Sequence, residues 1–207
     1  MTDFSFDIMR RGVQVAVCFA GKRKSGKDYV SAKLLKLLQQ EFAAELVGIS
    51  WSLKDEFAAI EGINKDGLKT DGPMKEIYRK RMVDFGEKKR NEDSSYFCRC
   101  AMSSLEPSTS VAIITDCRRP SDLVYFGSQS YKRFTVRIQA TVEVREKRGF
   151  KFTKGIDDAE TECALDSCST EWDFVIENDE DSENLEKSLQ SVYSAISNYV
   201  RCKKNLG

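Results

Sequence analysis

Histidine is absent from the 207-residue chain. That absence removes serine-histidine-aspartate hydrolysis, histidine-ligated zinc and phosphohistidine chemistry together. Whatever reaction the chain performs must run on Lys, Arg, Asp, Glu, Ser, Thr, Tyr or Cys. No apolar run reaches the length of about 18 residues needed to cross a membrane. The opening segment MTDFSFDIMRRG also lacks the basic-then-apolar order of a secretory signal, so a soluble protein with no membrane partner is expected. An excess of either charge is missing too, because 33 Lys plus Arg balance 33 Asp plus Glu. No global basic field is present to hold nucleic acid, and any attraction for anions must be local. The seven cysteines, Cys18, Cys98, Cys100, Cys117, Cys163, Cys168 and Cys202, are odd in number and contain no repeated CxxC pair. They suit neither a disulfide framework nor a zinc site, and a reducing cytosol fits them best.

What is present reads as one globular domain spanning residues 1–207, with 41% apolar and 32% charged residues and no linker, repeat or low-complexity segment. VQVAVCFA, residues 13–20, is an apolar, β-branched run of strand length that stops at Gly21. From Asp28 the text changes to DYVSAKLLKLLQQEF, where Val30, Leu34, Leu37, Leu38 and Phe42 recur with helical spacing. AELVGIS leads into a helical LKDEFAAI, and residues 75–90 and 96–105 read as two charged helices. VAIITD (111–116), FTVRIQA (134–140) and WDFVIEN (172–178) are further strand-like runs, and a helix over 184–200 closes the pattern. Strands alternating with helices predict an α/β fold with a mainly parallel sheet covered on both faces.

The loop between the first strand and the first helix is GKRKSGKD. Glycines there let the backbone curl so that amide N–H groups face phosphate oxygens, with the helix N-terminus adding positive potential. At an average glycine usage of about 7%, G-x4-G-K arises by chance in roughly one chain of this length in fifteen. Its placement between a strand and a helix is what the mechanism of the motif requires. Gly21, Lys22, Arg23, Lys24, Ser25, Gly26, Lys27 and Asp28 are therefore the candidate nucleotide-phosphate site. Asp28 stands where a Ser or Thr hydroxyl usually meets Mg2+. A carboxylate is also a hard oxygen ligand, and it is equally the acid a helix N-terminus favours. Three extra cations at positions 22 to 24 exceed what one triphosphate needs, which points to a second phosphate-bearing ligand.

Asp116 ends a strand and is a second candidate for Mg2+, held through water. Arg118 and Arg119 follow at the carboxyl end of that strand, where ligands of open α/β sheets bind, and planar guanidinium groups suit phosphate oxygens. VREKRGFKFTKGIDDAETE, residues 144–162, sets Arg145 and Arg148 three apart, then glycine, then acids, an arrangement that suits a lid closing over phosphate. Arg137 lies inside an otherwise apolar strand and needs an anionic partner. Lys75, Arg79 and Arg90 sit in a helix that reads as a solvated face.

The ordered strings GKRKSGKD, FGEKKR, DCRRPSD, FTVRIQA, REKRGFKFTKGIDDAETECALD and WDFVIEN together resemble the animal-type phosphomevalonate kinases from about residue 13 to residue 200. The Asp at position 28 is that family's own version of the loop. The resemblance implies a three-layer α/β/α phosphate-loop kinase fold with a mobile lid at about 144–162. It further implies transfer of the γ-phosphoryl group of Mg-ATP to 5-phosphomevalonate, giving the diphosphate and ADP, in the cytosolic route from mevalonate to isoprenoids and sterols. By the same resemblance, Lys22, Arg23, Lys24 and Lys27 contact ATP and stabilise the transferring group, and Asn178 lies near the adenine. Arg118 and Arg119 serve catalysis and acceptor binding, and Arg90, Arg137, Arg145 and Arg148 complete the set, with Arg148 at the substrate. SWSLKDEF departs from the relatives' usual SGPLKEQY at the acceptor-side Lys54. A monomer is expected. The nearest rival is a nucleoside monophosphate kinase with the same loop and lid. A phosphate-loop GTPase-like switch fits less well, because NKDG at 64–67 lacks the aspartate spacing for guanine and comes too early.

Overall fold

The computed structural model describes residues 12–69, 73–166, 171–179 and 182–204. The opening segment and Cys168 lie outside the described residues, as does the side chain of Lys75. Strand β1 (Val15–Gly21) runs into helix α1 (Lys27–Leu38), and β2 (Ala44–Val47) runs into α2 (Ile49–Glu61). The short α3 (Asp66–Lys69), the long α4 (Pro73–Glu92) and α5 (Tyr96–Ser103) lead to β3 (Val111–Ile114). After α6 (Pro120–Gly127) come β4 (Lys132–Gln139), α7 (Val142–Lys147), α8 (Glu160–Cys163), β5 (Phe174–Glu177) and α9 (Ser182–Lys204).

The five strands form one sheet in the order β2-β3-β1-β4-β5, and every neighbouring pair is parallel. The sequence reads β1 as a continuous apolar run because it is central and buried on both faces. Val15, Val17 and Phe19 face a core shared with Val30, Leu34 and Leu38 of α1 and with Leu185, Leu189, Val192 and Ile196 of α9. Ala16, Cys18 and Ala20 face the opposite core, shared with Phe97 and Ala101 of α5 and Leu123 and Phe126 of α6. This alternation makes three layers, the α/β/α arrangement expected. A smaller cluster of Phe57, Ala58, Leu68 and Met82 joins α2, α3 and α4 beside the main body.

Strand limits shift by about two residues from the apolar runs. β4 begins at Lys132 because Lys132 pairs with Val15 in register and its N–H bonds to the Gln14 carbonyl at 2.9 Å. The loop after β1 leads towards β2 and the loop after β4 leads towards β5, so a crevice opens at the carboxyl ends of these adjacent strands. Ligands of open α/β sheets bind at such a point.

Candidate active site

The loop after β1 is built so that only glycine fits at two positions. A Cβ on Gly21 would lie 2.8 Å from the Ile138 carbonyl oxygen. Gly26 adopts φ +87, and a Cβ there would meet Asn178 Nδ2 at 2.1 Å. Lys24 also has a positive φ, 65. Such alternation of left-handed residues is how a loop makes an anion-binding concavity ahead of a helix. Lys27 opens α1 with its side chain only 12% exposed and its Nζ 3.9 Å from Asp28 Oδ1, while the Asp28 side chain is 82% exposed.

The loop is held from behind by two predicted site residues. Asn178 is 4% exposed, and its Nδ2 donates to the Ser25 carbonyl at 2.8 Å. Arg148 Nη1 donates to the same carbonyl at 3.2 Å, and Nη2 donates to the carbonyls of Asn178 at 2.7 Å and Asp179 at 3.2 Å. The arginine expected at the acceptor thus lies against the phosphate loop and the end of β5. The asparagine expected near the adenine spends its amide on the loop backbone.

Further basic side chains converge in front, and acids from the segment after α7 meet them. Lys22 pairs with Asp166, donates to the Glu162 carbonyl at 2.8 Å and lies 3.3 Å from Cys163 Sγ. Arg23 reaches Asp157 at 3.2 Å and the Lys151 carbonyl at 2.6 Å. Arg118 pairs with Glu162, and Arg137 pairs with Asp166 at 2.5 Å while covering the Trp172 ring. Arg145 stacks 3.9 Å over Phe150 and donates Nε to the Arg23 carbonyl at 2.8 Å. Burial lowers the pKa of Arg145, with Asp157 opposing it, and burial likewise lowers that of Arg118, with Asp116, Asp28 and Asp122 opposing it.

Comparison with known proteins decides what this arrangement belongs to. The family model described as phosphomevalonate kinase matches residues 19–133. The curated phosphomevalonate kinase of Drosophila melanogaster is 38% identical over 170 residues, covering 80% of this chain and 88% of the fly protein. The chain belongs to the phosphomevalonate kinase family. Among solved structures, the APS kinase of Mycobacterium tuberculosis in complex with AMPPNP and APS aligns with a TM-score of 0.53 at 16% identity, covering 90% of this chain and 98% of that one. The shikimate kinase of Bacteroides thetaiotaomicron aligns at 0.51 with 17% identity, covering 88% and 98%. These two share the phosphate-loop kinase fold.

As a member of the phosphomevalonate kinase family, this chain is an ATP-dependent kinase. A cleft of about 510 Å³ is lined by Arg79, Lys80 and Val83 of α4, by Arg119, and by Ile156, Ala159 and Glu162, whose carbonyl accepts from Lys22 of the loop at 2.8 Å. Arg79, read from sequence as part of a solvated face, borders this cleft. Lys54 is half-buried on α2. Arg119 pairs with Glu87 of α4. Arg90 is not spread along the cleft; its Nη1 pairs at 2.8 Å with the fully buried Asp122.

Asp116 accepts the N–H groups of Ile49 at 2.6 Å and Ser50 at 2.9 Å, the first free donors of α2. Among the described residues no three His, Cys, Asp or Glu side chains form a metal-binding cluster. Mg2+ keeps much of its water and takes one or two carboxylates together with substrate phosphates, so the exposed carboxylate of Asp28 is of the chemical type that such an ion accepts. Sequence reasoning missed Asp157, Glu162, Asp166 and Asp122. The acid run DDAETE was the visible signal for the first two.

Proposed function

We propose that this site transfers the γ-phosphoryl group of Mg-ATP to (R)-5-phosphomevalonate, giving (R)-5-diphosphomevalonate and ADP. The observation that carries the assignment of roles is the meeting of Lys22, Arg23, Arg118, Arg137 and Arg145 around the mouth of a glycine-built loop. The loop from Gly21 to Asp28 holds the ATP phosphates, and Lys24 and Lys27 neutralise charge on the moving group. Arg148 and Asn178 fix the loop from behind and so serve the nucleotide. The cleft bordered by Arg79, Lys80 and Arg119 takes the acceptor, with Val83, Ile156 and Ala159 against its hydrocarbon part.

The acceptor oxygen belongs to a phosphate already ionised at neutral pH, so no strong base is required. Catalysis is then positioning and charge neutralisation, which suits a site of lysines and arginines without histidine. Asp28 and Asp116 are the carboxylates available to Mg2+, through water in the case of Asp116. The ion, when bound, neutralises phosphate charge.

Residues 144–162 act as the lid. Its acids Asp157 and Glu162, with neighbouring Asp166, pair with the cations that the phosphates are to meet. Phosphates then exchange for carboxylates as ligands enter. We take the enzyme to act in the cytosol as a monomer; among the described residues no helix is long and apolar enough to cross a membrane.

The test is ³¹P NMR of a reaction with the wild-type chain and with Lys27→Met. The proposal predicts new phosphoanhydride resonances on the acceptor, formed orders of magnitude more slowly by the variant although its circular dichroism is unchanged. Inorganic phosphate with an unmodified acceptor, or near-normal turnover in Lys27→Met, would overturn it.

A further inference from the structure

We propose that Asp122 is a positioning residue for the Arg118–Arg119 pair, and that Arg90 serves the reaction through Asp122 rather than by touching a substrate. Asp122 lies in the first turn of α6 and is 0% exposed. Its Oδ2 accepts the consecutive backbone N–H groups of Arg118 at 3.0 Å and Arg119 at 3.1 Å. Its Oδ1 takes Arg90 Nη1 at 2.8 Å and Cys98 Sγ at 3.5 Å. Four donors on two oxygens fill the capacity of an ionised carboxylate. The Arg90 side chain is only 13% exposed, its guanidinium lies over the Phe97 ring, and Nη1 also reaches the Ser94 carbonyl at 3.4 Å.

The consequence is geometric. From two adjacent clamped amides the side chains diverge to opposite sides of the site: Arg118 reaches Glu162 of the lid and Arg119 reaches Glu87 of α4. One buried carboxylate therefore sets the origin of both guanidinium groups, and Arg90 on α4 holds its other oxygen through the ion pair. Misplacing a catalytic group by about 1 Å can cost roughly 100-fold in rate, so loosening this clamp is read in turnover. The inference rests on the roles proposed above for Arg118 and Arg119.

The experiment is a kinetic cycle on the full chain: Asp122→Asn, Arg90→Gln, the double variant, and separate Arg118→Met and Arg119→Met variants. Leu189→Ala, at a core-facing position of α9, serves as a destabilised control. Asp122→Asn is expected to lower kcat by about 100-fold and to raise KM for the acceptor while leaving KM for ATP near normal. The double variant is expected to be no worse than the poorer single, because Arg90 has no separate role. It replaces the ion pair with a neutral hydrogen-bonding pair, so it keeps the test available if Asp122→Asn alone does not fold. Leu189→Ala lowers the melting temperature without that kinetic split. Losses that multiply in the double variant, or a normal kcat in Asp122→Asn, overturn the proposal. Normal turnover in both arginine variants instead refutes the roles given to Arg118 and Arg119.

Discussion

Gly26→Ala and Asn178→Ala, made singly and together, test whether the phosphate loop is shaped by the contact behind it. Alanine at the left-handed position 26 costs about 1–2 kcal/mol in backbone strain. Its Cβ would also lie 2.1 Å from Asn178 Nδ2, so the amide must leave the Ser25 carbonyl. A buried hydrogen bond lost in this way costs about 1–3 kcal/mol, which puts Gly26→Ala at about 2–5 kcal/mol. Asn178→Ala loses the same bond for about 1–3 kcal/mol, softened because Arg148 still reaches that carbonyl at 3.2 Å. In the double variant the collision has no partner and the bond is lost once. Its cost is then about 2–5 kcal/mol, against about 3–8 if the singles added. Urea unfolding of the four proteins measures the difference. ATP affinity should follow the same non-additive order. Additivity within about 0.5 kcal/mol would refute the contact as the reason for glycine at position 26.

Arg148→Ala should raise KM for ATP with little change for the acceptor, since all three carbonyls it bonds belong to the loop or the end of β5; a rise confined to the acceptor in initial-rate kinetics would return it to the other side. Asp93, hydrogen-bonded by Arg99 and by the Ser95 N–H, has its pKa lowered in the folded chain. Its contribution is therefore fully present above the unfolded value and lost as pH falls through the depressed native one. Screening of this part-exposed pair limits it to about 0.2–1 kcal/mol, and Asp93→Asn should flatten the acid limb of stability by that amount in denaturant titrations. Thiol labelling read by mass spectrometry should find the exposed Cys202 first. Buried Cys98 and Cys117, whose thiols burial pushes up, should label only with global unfolding, together with buried Cys18.

Much of the architecture could be read from pattern because local chemistry dictates it. A central parallel strand buried on both faces has to be apolar throughout, as Val15–Ala20 is, and α9 shows its core face at Leu185, Leu189, Val192 and Ile196. The phosphate loop was legible for a similar reason, since backbone curvature demands glycine at fixed places. Tertiary partners were not legible. Nothing near Arg148 in sequence says that it will bond Ser25, 123 positions away, and nothing near Asp116 says that it will cap α2. The same holds for Asp122, whose acid looks like an ordinary first-turn residue until its burial beside Arg90 is known. Arg79 reads as part of a solvated face because a charged helix without an apolar stripe looks like one, and only the tertiary structure shows that it borders a cleft between α4 and residues 155–162.

The most direct test of the account is a coupled ADP-release assay on the purified chain with Mg-ATP, comparing 5-phosphomevalonate with mevalonate and with AMP, CMP, UMP and GMP. Turnover is expected with 5-phosphomevalonate alone. Turnover with a nucleoside monophosphate, and none with 5-phosphomevalonate, would keep the phosphate loop and contradict the acceptor.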